Sequence, residues 1–412
     1  MKQSKYNFIF SLDDEYIIYN SFTGAVAKLN DYEMNCYNTM MFDDSKLLEE
    51  FYYGGFIIKD YFDELESLKM NFMKKRYSES VLSLCIAPTL NCNFKCSYCF
   101  ENDIRCSGSI TDEVMDSIFE YLNNNLENTK ELIVTWYGGE PLLEIDKINY
   151  MSEKFIDICD NNNVKYHSSM ITNGYLLTKN NINKINKCSI EYLQVTLDGN
   201  KYWHDKKRPF VDGRDTYEKI VSNIKENIEI LPKINIRINL DKNNKHTFFE
   251  VINEFKNIKD NISIYLAKVD NNNDTYKDNL CINNIEYLES ILQSNICMNM
   301  SNINTILISN KSVYCNAQLY YSIVIDNQGY MYKCWTDIGY SNRSFGNIKK
   351  LSDINNTKFS EYFEIDPFSD KECLNCKYLP LCIGGCPYQF KNRNKRQCTF
   401  IKNNLRKVLI KN

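Results

Sequence analysis

The sequence is poor in histidine. Only three histidines (His167, His204 and His246) occur among 412 residues. Histidine is the side chain whose ordinary pKa suits proton transfer near neutral pH, and it is the commonest metal ligand. Its scarcity argues against a histidine-rich metal centre and against acid–base catalysis that is spread over several histidines.

The chain also lacks a strong net charge and a long apolar run. Its 49 basic and 53 acidic side chains give a net charge of −4, so no overall field attracts nucleic acid. No run approaches the ~18 apolar residues of a membrane span, and residues 1–7 are not of signal-peptide type. We therefore expect a cytoplasmic protein that contacts neither nucleic acid nor membrane, with two or three domains for its length.

Cysteine, in contrast, is abundant, with 17 in the chain. Disulfide frameworks belong to small secreted domains, whereas clustered cysteines in a cytosolic protein are typical of metal ligation or catalysis. Seven cysteines lie outside the clusters described below, and we interpret them as small buried hydrophobic residues. One of these seven, Cys106, follows the first cluster closely enough to lie near a site instead.

The first cluster is Cys92, Cys96 and Cys99, which follows the apolar run 81–87 and Pro88. Soft thiolates select iron–sulfur clusters, zinc or cuprous copper. A four-iron cluster normally takes four cysteines, so three from one loop would leave one iron open to a small molecule. Taken alone, the triplet also fits a zinc knuckle or scattered core cysteines.

Residues 81–300 alternate between strand-like and helical patterns. A helix is predicted at 111–126, where Val114, Ile118 and Leu122 recur on one face. Six βα units imply a parallel sheet with helices outside, and sites in α/β barrels lie at the carboxyl ends of strands. The candidate strands are Val81–Ala87, Glu131–Trp136, Tyr166–Ile171, Ile190–Leu197, Ile234–Leu240 and Ile262–Ala267.

Residues 6–75 read as a smaller unit of strands followed by helices. Short strand-like runs cover 6–12, 15–20 and 25–29. Helical patterns then cover 31–41, 45–53 and about 63–76.

The second cysteine cluster begins at Cys315. Gly329 follows after thirteen residues and Cys334 after four more. The remaining spacing is Cys373-x2-Cys376-x5-Cys382-x3-Cys386-x11-Cys398. A zinc ribbon also uses paired Cys-x2-Cys units, so the spacing by itself leaves zinc open.

Together these motifs resemble the radical S-adenosylmethionine (SAM) enzymes. The shared features are Cys-x3-Cys-x-Tyr-Cys at 92–99, Gly-Gly-Glu-Pro at 138–141 and the cysteine spacing of the SPASM extension. The resemblance implies an α/β fold: a partial (β/α)6 TIM-like barrel with an N-terminal winged-helix-like leader-recognition domain and a C-terminal SPASM iron–sulfur domain. The corresponding domains are 1–78, 79–305 and 306–412.

The resemblance also implies which residues act. Cys92, Cys96 and Cys99 would hold a 4Fe–4S cluster whose open iron chelates SAM, and an electron from it would split SAM to give a 5′-deoxyadenosyl radical. Further residues would contact SAM: Tyr98, Gly138, Gly139, Glu140, Asn173, Thr196, Arg208 and Val269. A tight turn explains Asn173 nearly as well, and a plain surface charge is the alternative for Arg208.

Two auxiliary 4Fe–4S clusters follow from the SPASM resemblance, which makes three clusters in all. Cys373, Cys376, Cys382 and Cys398 would hold the outer one. The inner cluster would take three cysteines, and because no fourth cysteine follows closely in the sequence, we predict an open iron there. The inner set is Cys315, Cys334 and Cys386.

The function that the resemblance implies is thioether crosslinking of a ribosomally made precursor peptide with a leader and a cysteine-containing core. An external donor such as flavodoxin or ferredoxin would supply electrons. The alternatives are formylglycine formation by an anaerobic sulfatase-maturing enzyme, carbon–carbon crosslinking, and epimerisation. The proposed base of the sulfatase-maturing relatives would fall on Trp335, with Asp337 two residues further on, which counts against the first alternative. An iron–sulfur electron carrier or zinc adaptor would explain the cysteines but not the βα core.

Overall fold

The computed structural model describes residues 1–105, 108–258, 261–271, 273–298 (backbone only at 295–298), 310–394 and 396–410. The chain forms two compact units. The terminal unit consists of Met1–Tyr77, Asn299–Leu319 and Tyr362–Asn412. The sheet unit consists of Ser78–Met298 and Tyr320–Glu361. The predicted division into three domains stays a prediction.

The N-terminal part of the terminal unit contains the predicted strands and helices. Strands β2, β3 and β4 form an antiparallel sheet in that order, and the two-residue strands β1 and β5 pair separately. The Asn30 side chain and Glu33 form a capping box that begins α1. The elements are β1 Lys2–Gln3, β2 Asn7–Leu12, β3 Glu15–Asn20, β4 Val26–Leu29, α1 Asp31–Thr39, α2 Ser45–Tyr53, β5 Ile57–Ile58 and α3 Glu64–Arg76.

The sheet unit contains a nine-stranded sheet in the order β11-β10-β9-β8-β7-β6-β12-β13-β14. Its strands are β6 Val81–Ile86, β7 Glu131–Trp136, β8 Lys165–Thr172, β9 Ile190–Leu197, β10 Lys233–Leu240, β11 Ile262–Lys268, β12 Ser322–Ile325, β13 Tyr330–Tyr332 and β14 Gly346–Asn347. Strands β6 to β11 are parallel to their neighbours, which confirms the six predicted strands and their direction. Strand β12 adds to β6 in parallel, and β13 and β14 continue antiparallel.

Helices separate the parallel strands. The Thr111 side chain accepts a hydrogen bond from the Val114 amide and so begins the predicted helix at Asp112–Asn125. Alternate strand residues such as Leu84 and Trp136 are fully buried, and Trp136 stacks on Phe155. The helices are α4 Asp112–Asn125, α5 Ile145–Asn161, α6 Lys179–Ile185, α7 Lys201–Lys207, α8 Tyr217–Glu226, α9 Phe248–Phe255 and α10 Asn284–Met298.

Short helices make up much of the rest of the chain. Among the described residues, Asn356–Ser360 belongs to the sheet unit, and the terminal unit contains Lys371–Leu374, Leu379–Cys382, Pro387–Arg393 and Leu405–Ile410. In the part of the chain that the structure describes, no helix has both the length and the apolar character to cross a membrane.

Candidate active site

A cavity of about 360 Å³ lies in the sheet unit, where strands β6 to β11 end. Loops that follow these strands supply its walls, as expected for an α/β fold. The structure brings ten of the eleven sequence-predicted residues of the SAM site to this one cavity; Glu140 is the exception. The ten are Cys92, Cys96, Tyr98, Cys99, Gly138, Gly139, Asn173, Thr196, Arg208 and Val269.

The cysteine loop after β6 is held by the segment that follows α7. The Lys95 amide donates to the Pro209 carbonyl and the Ser97 amide to the Lys207 carbonyl, each at 2.8 Å. Phe94 is fully buried and packs edge-on against Phe210. These contacts fix the loop and bring Arg208 of the same segment to the cavity.

The three thiols are largely buried. Burial raises the pKa of Cys92 to about 12 and that of Cys96 to about 11, and it also raises the pKa of Cys99. Arg208 opposes this shift at Cys96, and Arg105 opposes it at all three thiols. Because metal binding requires the thiolate form, binding here would release protons.

The three thiols of the loop line one cavity together. A four-iron cluster normally takes four cysteines, so three thiolates at this cavity would leave one iron open. Cys92, Cys96 and Cys99 therefore fit such a cluster.

The two glycines after β7 pack against the cysteine loop. Gly138 has φ +104°, and a Cβ there would lie 2.4 Å from the Thr89 carbonyl oxygen. A Cβ on Gly139 would lie 2.2 Å from the Asn91 carbonyl oxygen. Only glycine permits this close approach of two backbones. The sequence suggested a close approach to SAM, and the structure adds this second reason for the pair.

Glu140 lies behind the cavity wall and joins two of its loops. It is fully buried, and its carboxylate accepts hydrogen bonds from the Leu142 amide, the Thr172 hydroxyl and the Asn173 amide at 2.7–3.0 Å. Burial raises its pKa, and these hydrogen bonds oppose the shift. Glu140 therefore holds the loop after β7 to the end of β8, while a direct contact with SAM stays a prediction.

Tyr98 is the centre of a polar network at the cavity wall. Its hydroxyl donates to Asp198 Oδ1 at 3.0 Å and accepts from Arg208 Nη1 at 2.8 Å and from Asn239 Nδ2 at 3.1 Å. Among the described residues, Asp198 Oδ2 and Arg208 Nε are buried without a hydrogen-bond partner. Such atoms are costly unless a ligand satisfies them. The wall therefore suits a polar, charged ligand such as the methionine part of SAM.

Comparison with known proteins gives a family for this arrangement. Residues 86–264 match the model of the radical SAM superfamily. That segment begins at the end of β6 and includes all three cysteines of the loop. The chain therefore contains a radical SAM domain over these residues.

Two curated relatives resemble most of this chain. The radical SAM cyclopropyl synthase TigE of Paramaledivibacter caminithermalis is 25% identical over 85% of this chain and 79% of its own length. The cysteine-type anaerobic sulfatase-maturating enzyme of Clostridium novyi is 25% identical over 74% of this chain and 87% of its own length.

Two solved structures share the fold. The anSMEcpe structure with bound AdoMet matches with a TM-score of 0.62 at 21% identity, over 80% of this chain and 98% of its own. Streptococcus suis SuiB bound to its precursor peptide SuiA matches with a TM-score of 0.56 at 14% identity, over 96% and 97% of the two chains.

The sequence did not identify several charged and polar residues that line this cavity. Arg237 and Asn239 come from β10, and Lys268 from the end of β11. For Asn239 and Lys268 the position at a strand end was the available signal, because such residues face the site in this fold. Glu101 and Arg105 follow the cysteine loop and also line the cavity. Burial raises the pKa of Glu101 to about 7.

Four cysteines of the second cluster meet in the terminal unit. Cys373, Cys376, Cys382 and Cys398 line one small cavity of about 30 Å³. Lys402 Nζ donates to Cys398 Sγ at 3.5 Å, so a cation stands beside the thiols. The structure thus brings together the set predicted for the outer auxiliary cluster, whose presence stays a prediction.

The three cysteines predicted for the inner cluster do not all belong to the same unit. Cys315 and Cys386 belong to the terminal unit and Cys334 to the sheet unit, and their shared ligation stays a prediction. Of the cysteines outside the clusters, Cys36, Cys159 and Cys188 are buried, as expected for core residues, whereas Cys85 and Cys281 are only partly buried. Cys106 and the side chain of Cys297 lie outside the described residues.

Proposed function

We propose that this radical SAM enzyme is a peptide maturase that installs thioether crosslinks, each joining a cysteine sulfur to a carbon, in a ribosomally synthesised precursor peptide. The observation that carries the proposal is the single cavity that gathers Cys92, Cys96 and Cys99 with Thr196 and Arg208. The second group of four cysteines around one cavity is further support.

Different residues of the cavity would bind the 4Fe–4S cluster and SAM. Cys92, Cys96 and Cys99 would hold a 4Fe–4S cluster, and Arg208 and Thr196 would hold the charged part of SAM. Tyr98 orients the Arg208 guanidinium through its 2.8 Å hydrogen bond. When bound, the cluster and SAM supply the radical that takes a hydrogen atom from an unactivated carbon. The loops after β6 to β11 surround this position.

The terminal unit would dock the leader of the precursor peptide. Its three-stranded sheet has two edges, β2 and β4. On β2, Lys377 Nζ donates to the Asn7 carbonyl at 2.8 Å and Arg406 to the Ser11 carbonyl at 3.1 Å. Within the part of the chain that the structure describes, strand β4 pairs only with β3, so we propose it as the edge to which a peptide strand can add. Docking raises the local concentration of the core peptide.

The auxiliary cysteines would serve the electron balance of the crosslink. Each bridge forms one C–S bond and breaks one S–H and one C–H bond, so the peptide loses two hydrogens. One would leave as a hydrogen atom to the SAM-derived radical, and the other as a proton together with an electron that the auxiliary clusters would accept. Cys373, Cys376, Cys382 and Cys398 would hold the outer cluster. Cys315, Cys334 and Cys386 would hold the inner one, with an open iron for the substrate thiol. Flavodoxin or ferredoxin is the class of external electron donor that we propose.

The open iron has its own test. Spectroscopy of the substrate-free enzyme should give three cysteine ligands on the inner cluster, and a new sulfur ligand on addition of a thiol-containing peptide. Four cysteine ligands before any peptide is added would remove this part of the proposal.

Co-expression with a short cysteine-rich reading frame adjacent to the gene tests the crosslink. Mass spectrometry should give a loss of two hydrogens per bridge, and alkylation should find one cysteine thiol fewer per bridge. The control is the variant with Cys92, Cys96 and Cys99 all changed to alanine, which should leave the peptide unchanged. An unchanged peptide mass with the parent enzyme would count against crosslinking. In a separate comparison, a peptide without its leader should be modified more slowly than the full precursor.

Two relatives supply the competing outcomes of the same experiment. A cyclopropyl synthase such as TigE suggests carbon–carbon bond formation, which also removes two hydrogens but leaves every cysteine thiol open to alkylation. A sulfatase-maturating enzyme such as that of Clostridium novyi suggests formylglycine, which an aldehyde-specific hydrazine reagent detects. Either result would replace the thioether.

A further inference from the structure

Arg105 occupies a position beside the cysteine loop that the chemistry described above does not use. It lies six residues beyond Cys99 and lines the same cavity as the three thiols. The guanidinium Nη1 donates a hydrogen bond to the Phe94 carbonyl, which lies between the first and second cysteines. Arg105 therefore returns from beyond the cysteine loop and holds it from the cavity side.

The guanidinium and the three sulfurs face one cavity. Cys92, Cys96 and Cys99 line it together with Arg105, and an arginine side chain keeps its proton in proteins. Arg105 is thus a cation next to the place where negative charge would collect.

Among the described residues, Nη2 of Arg105 is buried and has no hydrogen-bond partner. Leaving a buried guanidinium donor without a hydrogen bond costs free energy. The neighbouring cavity, walled by three thiols, is where a sulfur-rich group would sit. A cluster sulfide or thiolate sulfur there would accept this hydrogen bond.

We propose that Arg105 is a positioning residue that sets the reduction potential of the radical SAM cluster. Hydrogen bonds to the sulfurs, net charge and solvent exposure determine the potentials of iron–sulfur clusters. A four-iron core bound by three thiolates becomes more negative by one charge on reduction. A fixed cation and a hydrogen-bond donor beside it stabilise the reduced form more than the oxidised form, so Arg105 raises the potential.

An anaerobic potentiometric titration followed by electron paramagnetic resonance tests this proposal. The reconstituted full-length protein is used, and the signal that changes on addition of SAM identifies the cluster that binds SAM. Arg105→Gln keeps a donor for the Phe94 carbonyl but removes the charge. At the potential where half of the parent cluster is reduced, the ratio of reduced to oxidised cluster in this variant should fall roughly tenfold.

Two further variants separate charge from structure. Arg105→Lys retains the cation and should stay close to the parent potential. Lys179→Met removes an exposed charge at the start of α6 and should leave the potential unchanged. Iron and sulfide content is measured for each variant, so that potentials are compared only between loaded proteins.

The outcomes are decisive in each case. A parent-like potential in loaded Arg105→Gln would overturn the proposal, as would an equal fall in Arg105→Lys. If Arg105→Gln does not assemble the cluster, Arg105→Met is compared with Arg105→Lys. A parent-like potential in loaded Arg105→Lys together with a lowered potential in Arg105→Met supports the proposal. Any other result overturns the proposal. The titration needs no peptide, so it stands independently of whether thioethers form.

Discussion

At the scale of single residues, the cavity wall depends on a few polar side chains that are hydrogen bonded to one another. Tyr98 gathers Arg208, Asp198 and Asn239 around one hydroxyl. Thr196 of β9, two residues before Asp198, is buried and lines the same cavity. The binding of SAM should therefore respond to the loss of single polar atoms.

The Thr196 hydroxyl offers the simplest such change. Thr196→Val keeps the shape of the side chain and removes one hydrogen bond to a charged ligand, which is worth about 1.5–3 kcal/mol. We expect SAM to bind roughly ten- to a hundredfold more weakly, as measured by equilibrium dialysis. Thr196→Ser restores the hydroxyl and should restore binding. Equal binding by Thr196→Val and the parent would show that the hydroxyl does not contact SAM.

A buried histidine makes the fold sensitive to acid. His204 is fully buried; its Nδ1 lies 3.3 Å from the Asp198 amide nitrogen, and its Nε2 lies 3.1 Å from the Thr216 hydroxyl. Burial, together with Arg208 and Lys207, lowers its pKa well below the usual 6.5. Below about pH 6.5 the unfolded chain therefore binds a proton that the folded chain does not.

The expected result is a loss of stability as the pH falls. The free energy of unfolding should decrease by up to about 1.4 kcal/mol for each pH unit below ~6.5 on account of His204. Urea unfolding of the parent and of His204→Gln, compared at pH 7.5 and 5.5, should show a smaller decrease in the variant. The exposed His246 provides the control His246→Gln, which should follow the parent. Parallel curves for all three proteins would contradict this account.

At the scale of elements, the loop after β7 is hydrogen bonded to the cysteine loop after β6. The Glu140 amide donates to the Asn91 carbonyl at 2.9 Å and the Gly139 amide to the Thr89 carbonyl at 3.2 Å. The absence of side chains at Gly138 and Gly139 permits these bonds. A change in one loop should therefore disturb the cluster site in the other.

Gly138→Ala tests this coupling, and Gly213→Ala is its matched control. Both glycines have positive φ (+104° and +90°), but a Cβ on Gly138 meets the Thr89 backbone whereas nothing lies within 4 Å of one on Gly213. Gly213→Ala should cost about 1–2 kcal/mol of unfolding free energy from backbone strain alone. Gly138→Ala should cost a further 1–3 kcal/mol or so from overpacking, and it should lower iron content. Equal losses in urea unfolding would contradict the close packing.

How far the sequence predicts these elements depends on the range of the contacts. The six parallel strands carry their own apolar patterns, so their positions and direction were predictable. Strands β12 to β14 were missed because Ser322–Ile325 has only four residues, and its pairing with β6 has no local signal. In the site, the cysteine spacing marked the thiols, but the return of Arg105 to the Phe94 carbonyl depends on a loop geometry that no motif encodes.

At the scale of the whole molecule, the two groups of cysteines should hold separate clusters with separate roles. Three 4Fe–4S clusters predict about 12 iron atoms per chain. Changing both Cys373 and Cys376 to serine should remove about four of them while SAM cleavage continues, because the cavity of Cys92, Cys96 and Cys99 lies in the sheet unit. Metal analysis and product chromatography measure both effects.

The control for this prediction is a pair of buried cysteines outside both groups, Cys36 and Cys159. Changing these two to alanine should leave the iron content at its parent value. Unchanged iron after loss of Cys373 and Cys376, or one zinc ion in place of the lost iron, would contradict the assignment of an auxiliary cluster.

The most direct measurement is the reductive cleavage of SAM by the anaerobically reconstituted protein. With SAM and a low-potential reductant, the parent should produce 5′-deoxyadenosine without any peptide. The variant with Cys92, Cys96 and Cys99 changed to alanine should produce none. Full activity in that variant, or a parent that binds zinc and forms no 5′-deoxyadenosine, would contradict the central claim that these three thiols hold the catalytic cluster.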